Sequence, residues 1–186
     1  MASFFDITER KRVAAELEWN TAFLEAQVNS SLDGILVVDQ EGKKILQNQR
    51  TTDLLKIPQP IADDKDNEKQ LRWIANITKN PEQFLEKVIH LYSHPNEISR
   101  DELELKDGTV LDRYSASVVG EDGKNYGRIW TFRDITGRRR LEEDLRASEE
   151  RLRAVLQSAH DAIISMDNQG RVVSWNQAAQ TIFGYA

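Results

Sequence analysis

Two histidines stand four residues apart in the run Val88-Ile89-His90-Leu91-Tyr92-Ser93-His94-Pro95. Imidazole is a good iron ligand, so an axial haem ligand is the sharpest chemistry this run could support. The spacing points elsewhere. Phe84, Val88 and Tyr92 recur every four residues, which marks one face of a helix. His90 lies two positions from both Val88 and Tyr92 and falls off that face. His94 precedes a proline, which pushes its backbone out of the helix. Surface or capping roles suit both residues better. Ser158, His160 and Asp161 have the types needed for nucleophilic catalysis, but so close in sequence they cannot adopt the geometry of a triad. No glycine-rich phosphate loop follows a strand. Cysteine is absent, which excludes disulfides, thiolate metal sites and cysteine nucleophiles and suits a reducing cytoplasm. No enzyme is expected in this segment.

The bulk properties narrow the classes further. The 186 residues carry a net charge of −6, with Lys and Arg scattered among carboxylates. A nucleic-acid surface needs a dominant basic face, so no nucleic-acid partner is expected. No apolar run approaches the ~20 residues that cross a bilayer. Met1 to Asp6 lacks the basic start and apolar core of a signal peptide. A cytoplasmic location without direct membrane insertion is the expectation.

Positioning follows from an internal repeat. Asp6-Ile7-Thr8-Glu9-Arg10-Lys11-Arg12 returns as Asp134-Ile135-Thr136-Gly137-Arg138-Arg139-Arg140, an offset of 134 − 6 = 128 residues. The register continues without a gap through Leu17/Leu145, Leu24/Leu152, Asp33/Asp161, Ile35/Ile163, Asp39/Asp167, Gly42/Gly170 and Asn48/Asn176. Roughly fifteen of about fifty pairs are identical, which marks a tandem array. Residues 1–8 then read as the tail of an upstream unit, 9–31 as an entry helix and 32–136 as a complete unit. Residues 137–159 form a linking helix, and 160–186 the first part of another unit. That part lacks strands and is expected to pack poorly or to associate with another chain.

Within the complete unit, Gly34 to Val38 and Lys44 to Gln47 predict a hairpin around Gln40-Glu41-Gly42-Lys43. Asn48 predicts the cap of a short helix through Leu55, stopped by Pro58 and Pro60. Residues 61–70 read as a solvated loop leading into a helix with Leu71, Ile74 and Ala75 on one face. Asn80-Pro81-Glu82-Gln83 has the pattern of a capping box opening a helix to about Ser93. Three strands follow. Asp107-Gly108 predicts a two-residue type I′ turn, and Gly120 to Gly123 the next turn. On the second of these strands the alternation assigns Tyr114, Ala116 and Val118 to one side and Arg113, Ser115 and Ser117 to the other. Thr136 is the expected N-cap of the final helix. Five antiparallel strands with helices on one face make an α+β domain.

This order resembles the PAS family of sensory domains. The resemblance rests on Asp33-Gly34-Ile35 through Asp39 with Gly42, on Lys106-Asp107-Gly108, and on Tyr126 to Arg133 ending in Asp134-Ile135-Thr136, similar to the family's D-x-T signature. Ser174-Trp175-Asn176-Gln177-Ala178-Ala179 and Phe183-Gly184-Tyr185 resemble the family more closely than Leu46 to Thr51 and Leu55-Lys56-Ile57 do. The resemblance implies a five-stranded sheet cupping a small pocket that holds haem, flavin, a metabolite or nothing. It implies flanking helices that carry a signal to an output domain, a histidine kinase or a cyclic-dinucleotide enzyme. The candidate pocket residues are Phe84, Val88, Tyr92, Leu103, Leu105, Tyr114, Trp130 and Phe132; the same side chains suffice as a packed core. A metabolite would find polar anchors in Arg128, Arg113 or Tyr114. The flavin–cysteinyl adduct of light-sensing relatives is excluded, because there is no cysteine and Phe132 stands where those domains place glutamine. Haem would fall to His90 or His94; an empty site is the leading expectation.

The linking helix carries its own pattern. Leu141, Leu145, Ser148, Leu152, Val155 and Ala159 alternate by four and three, a heptad seam. The earlier copy uses Val13, Leu17, Asn20, Leu24 and Gln27. Both copies put a polar residue at the same seam position, Asn20 and Ser148, which weakens a coil but sets its register. The expectation is a parallel homodimeric coil. Asp134, Thr136, Leu141, Leu145, Ser148 and Leu152 would pass a change from the sheet into it, with adjacent PAS and output domains as partners. The alternative is a ligand-free dimerisation or spacer module.

Overall fold

The computed structural model describes the backbone of residues 3–184 and the side chains of residues 9–184. Met1, Ala2, Tyr185 and Ala186 lie outside the described residues, as do the side chains of Asp6-Ile7-Thr8. The chain divides into two compact units, one through Thr136 and one from Gly137.

The first unit opens with helix α1 (Ser3–Asn29), already helical across the segment expected to end an upstream unit. Strands β1 (Gly34–Val38) and β2 (Lys44–Gln47) form the first hairpin, followed by α2 (Gln49–Leu54), α3 (Gln59–Ala62), α4 (Glu68–Ile77) and α5 (Pro81–Ser93). Strands β3 (Ser99–Glu104), β4 (Val110–Val119) and β5 (Asn125–Asp134) complete an antiparallel sheet in the order β2-β1-β5-β4-β3. Leu36 pairs with Trp130 and Arg113 with both Asp101 and Phe132. One face of the sheet is covered. Leu36, Val38, Leu103, Leu105, Leu111, Trp130 and Phe132 join Leu54, Leu55, Ile57, Ile74, Ala75, Phe84, Val88 and Leu91 in one buried core. Each buried Val, Leu, Ile or Phe among them contributes roughly 1.5–3 kcal/mol by leaving water. The other face carries Ile35, Val37, Ala116 and Ile129, all partly exposed.

Several local expectations are corrected. The Asp107-Gly108 turn is a three-residue loop, not a two-residue one. Leu105 N donates to Thr109 O and Gly108 N to Leu105 O, with Gly108 at φ 88°. That is a type I turn followed by a left-handed bulge glycine, a conformation with little steric penalty for glycine alone. The Asp39–Lys43 and Gly120–Lys124 turns repeat the device. Asn80 precedes α5 but makes no capping bond, its backbone at φ −119°, ψ 78°. Residues 61–70 are not wholly solvated: Asn67 and Gln70 are buried. Lys44 Nζ donates to Ile61 O, Ala62 O and Gln70 Oε1, which closes the end of α3. Pro60 sits in the first turn of that helix rather than merely stopping α2.

The second unit consists of α6 (Thr136–Ser158), hairpin β6 (Ile164–Met166) and β7 (Val172–Trp175), and α7 (Gln177–Phe183). Helix α6 begins one residue before the division at Gly137. Among its described residues only Asn176 and Ala179 are buried. Along α6, ion pairs join Arg138 to Glu142 and Arg146 to Glu150. No helix among the described residues is long and apolar enough to cross a membrane.

Candidate functional site

The inner face of the sheet is not uniformly apolar. Two guanidinium groups are buried on it, Arg113 on β4 and Arg128 on β5, each no more than 4% exposed. The phase of β4 decides this. Leu111 is fully buried, so Arg113 and Ser115 follow it inward, while Tyr114, 36% exposed, faces outward. The assignment of Tyr114 to the pocket is therefore corrected. Its aromatic ring is a poorer guide to facing than the partners available to Arg113. Arg113 Nε and Nη2 donate to the Asp101 carboxylate opposite on β3, at 2.8 and 2.6 Å. Its guanidinium lies 5.2 Å from the Phe84 ring centroid and 5.6 Å from that of Trp130. Stacking on both rings offsets part of the cost of burial.

Phe84, Val88, Leu103, Leu105, Trp130 and Phe132 are all buried in the continuous core, with Tyr92 packed against it and partly buried. Leu91, unassigned on sequence grounds, is fully buried one turn beyond Val88. Leu85 and Ile89, next in sequence to Phe84 and Val88, are exposed. His90 and His94 are exposed and engaged elsewhere. His90 Nε2 lies 2.7 Å from Glu97 Oε2, and the two imidazoles stack at 4.2 Å. The bond from His90 holds the Glu97 carboxyl below its usual range. Neither imidazole faces the core.

A cavity of about 300 Å³ opens at one end of the covered face. Its walls include Tyr92, Arg128, Asp39, Gln40, Asn125, Leu91 and Pro95. Tyr92 is the one expected pocket residue among them. Arg128 is one of the expected polar anchors, whereas Asp39, just after β1, and Asn125, at the start of β5, are far apart in the chain and were not among the expected pocket residues. Arg128 Nη1 donates to Ser115 Oγ, and Nη2 donates to the carbonyls of Pro95 and Glu97 at 2.9 and 3.0 Å and of His94 at 3.2 Å. Gly127, beside it, is glycine for a steric reason: a Cβ would stand 1.9 Å from Val38 O. Burial raises the Tyr92 phenol above its usual range, against opposing effects of Asn67 and the Arg128 charge. The phenol stays protonated at neutral pH and can donate.

At the exit of the sheet, Asp134 Oδ1 accepts from Thr136 N at 2.9 Å, and Thr136 Oγ1 accepts from Val110 N at 2.9 Å. The cap of α6 is thus the carboxylate two residues earlier, not the threonine, whose hydroxyl ties the start of β4. Arg133 closes the opposite corner with a bidentate pair to Asp33. The entry is tied by Asn48, whose Oδ1 accepts from Ile35 N, Thr51 N and Thr51 Oγ1 while Nδ2 donates to Val28 O and Asp33 O. Asn176 repeats this in the second unit, accepting from Ile163 N and Ala179 N and donating to Leu156 O and Asp161 O. The seam side chains lie bare. Leu141, Leu145 and Leu152 are 60–72% exposed, and Val13, Leu17 and Leu24 of α1 more than half exposed. The Trp19 and Phe23 rings stack on the exposed surface of α1 at 5.3 Å.

Comparison with known proteins agrees with the architecture. Residues 150–186 match the family described as the PAS fold. The PAS domain of BvgS from Bordetella pertussis covers 70% of the chain and is itself covered over 97% of its length, at a TM-score of 0.51 and 17% identity. The architecture is thereby defined as the PAS fold. Among individual proteins, the chain is similar to sporulation kinase E of Bacillus subtilis (strain 168), 25% identical over 188 aligned positions and 99% of this chain. It spans only 24% of that protein's length.

Proposed function

We propose that the chain is a sensory segment of a histidine-kinase-type signalling protein located in the cytoplasm. It works as a homodimer through its flanking helices. A small ligand or redox state sensed in the first unit alters how the sheet holds Asp134 and Thr136. The change passes into α6 and on to adjacent PAS domains and an output domain. The observation that carries this reading is the bare apolar seam on both flanking helices. Apolar side chains at heptad spacing that find no cover in their own chain suit a second copy. Similarity to a sporulation kinase supports the kinase-type context. A loose, polar-interrupted seam also suits switching between two packings.

A ligand-free dimerisation module is favoured by one observation: most of the expected pocket side chains pack against one another as core. Sedimentation equilibrium, with native mass spectrometry and a visible spectrum on the same sample, separates the readings. The wild type should be a dimer, and Leu145→Asp with Leu152→Asp should make it a monomer of unchanged sheet content. A wild-type monomer at micromolar concentration would overturn both readings. A bare-mass dimer that responds to no ligand would favour the spacer.

A further inference from the structure

A buried guanidinium normally has a carboxylate partner, because removing an ion from water costs several kcal/mol that neutral contacts only partly return. Arg113 obeys this rule through Asp101. Arg128 does not. It is 4% exposed, and its hydrogen-bond partners are a hydroxyl and three backbone carbonyls, all neutral. Burial accordingly lowers its pKa. Unlike a merely structural arginine, it lines a cavity of about 300 Å³, the lower end of the size range of small-molecule sites.

The same cavity has a second charge. Asp39 contributes to its wall, and the turn engages Asp39 through Oδ1, which accepts from Glu41 N and Lys43 N at 2.9 Å each. Tyr92 supplies a neutral phenol, and Leu91 and Pro95 supply apolar wall. One buried cation, one carboxylate and a neutral donor select by charge. A simple carboxylate would meet Arg128 but be repelled by Asp39, and a simple amine the reverse. A molecule with one of each charge satisfies both.

We infer that this cavity binds a small zwitterion, a free α-amino acid, with its carboxylate on Arg128 and its ammonium group on Asp39. The inference rests on the sensory reading above and names the ligand class for it. The Tyr92 hydroxyl donates to the same carboxylate, and a short side chain lies against Leu91 and Pro95. The guanidinium that anchors the ligand also holds the carbonyls of His94, Pro95 and Glu97, so occupancy is coupled to the loop between α5 and β3.

The test is isothermal titration calorimetry and thermal unfolding of the whole chain against the proteinogenic amino acids, with acetate and methylammonium as single-charge controls. At least one amino acid should bind saturably and raise the unfolding temperature, and neither control should. Asp39→Asn keeps an Oδ1 acceptor for the turn and removes only the charge. It should weaken binding about tenfold or more, the loss of one charge-assisted contact. Arg128→Lys should do the same by losing the planar fork. No binding by any amino acid, equal binding by either control, or unchanged affinity in a folded Asp39→Asn variant would overturn the inference. A chain that dimerises through its helices yet binds no amino acid would sink this inference alone. A chain that binds one as a monomer would instead sink the dimeric transmission reading.

Discussion

Asn48 shows how much one side chain can do at this scale. Its buried amide meets the last turn of α1, the first residues of β1 and the N-terminus of α2. Its capping role is legible in sequence from the short helix that follows; its reach back to Val28 is not, because that partner is twenty residues upstream. Asn48→Ala leaves several buried backbone groups without partners and should cost about 1–3 kcal/mol in urea unfolding. Two glycines should behave differently from one another. Gly108→Ala adds a Cβ with nothing within 4 Å, so only the left-handed backbone penalty of roughly 1–2 kcal/mol applies. Gly127→Ala drives a Cβ into the Val38 carbonyl and should yield no folded protein in the same expression and unfolding assay.

At the scale of elements, the β3–β4 hairpin carries a pH signature. Asp107 is held at about 2, first by its bond from Lys56 and then by the Thr109 backbone. The folded pKa is below the ordinary value of roughly 3.9, so the stabilisation is complete above that value and is lost as pH falls towards 2. Asp107→Asn keeps the acceptor for Thr109 N but cannot titrate. The stability gap between wild type and this variant, read from urea midpoints, should be full at pH 6 and shrink to a small fraction by pH 2. It should be modest and reduced by salt, because the pair is substantially exposed. The hairpin position was legible from Asp107-Gly108. The turn type was not, because the number of loop residues depends on where β3 and β4 pair.

For the whole molecule, the question is how the sheet speaks to the helix after it. Asp134 caps the first turn of α6 and Thr136 binds the start of β4, so strand and helix share a single short joint. Asp134→Ala should raise amide hydrogen exchange in that first turn while β4 and β5 keep their protection. Ligand-induced changes in α6 exchange should disappear at unchanged affinity. Retained α6 changes in this variant would remove Asp134 from the route.

What the amino-acid sequence determined by itself was local or periodic. The glycine-marked hairpins, the inward stripe of Phe84 and Val88 and the heptad seams are each written in residues a few positions apart, and the repeat is written as the same residue types returning 128 positions on. Only the tertiary structure decided the rest. Whether Arg113 or Tyr114 faces inward on β4 depends on Asp101 across the strand pair and on the Phe84 and Trp130 rings. Whether Arg128 is a surface charge or a buried one lining a cavity depends on turns and helix ends brought together from distant positions. Hydrogen bonds and charge pairs act over a few ångströms of space, and spacing along the chain carries no record of which distant partner the fold will bring within that range.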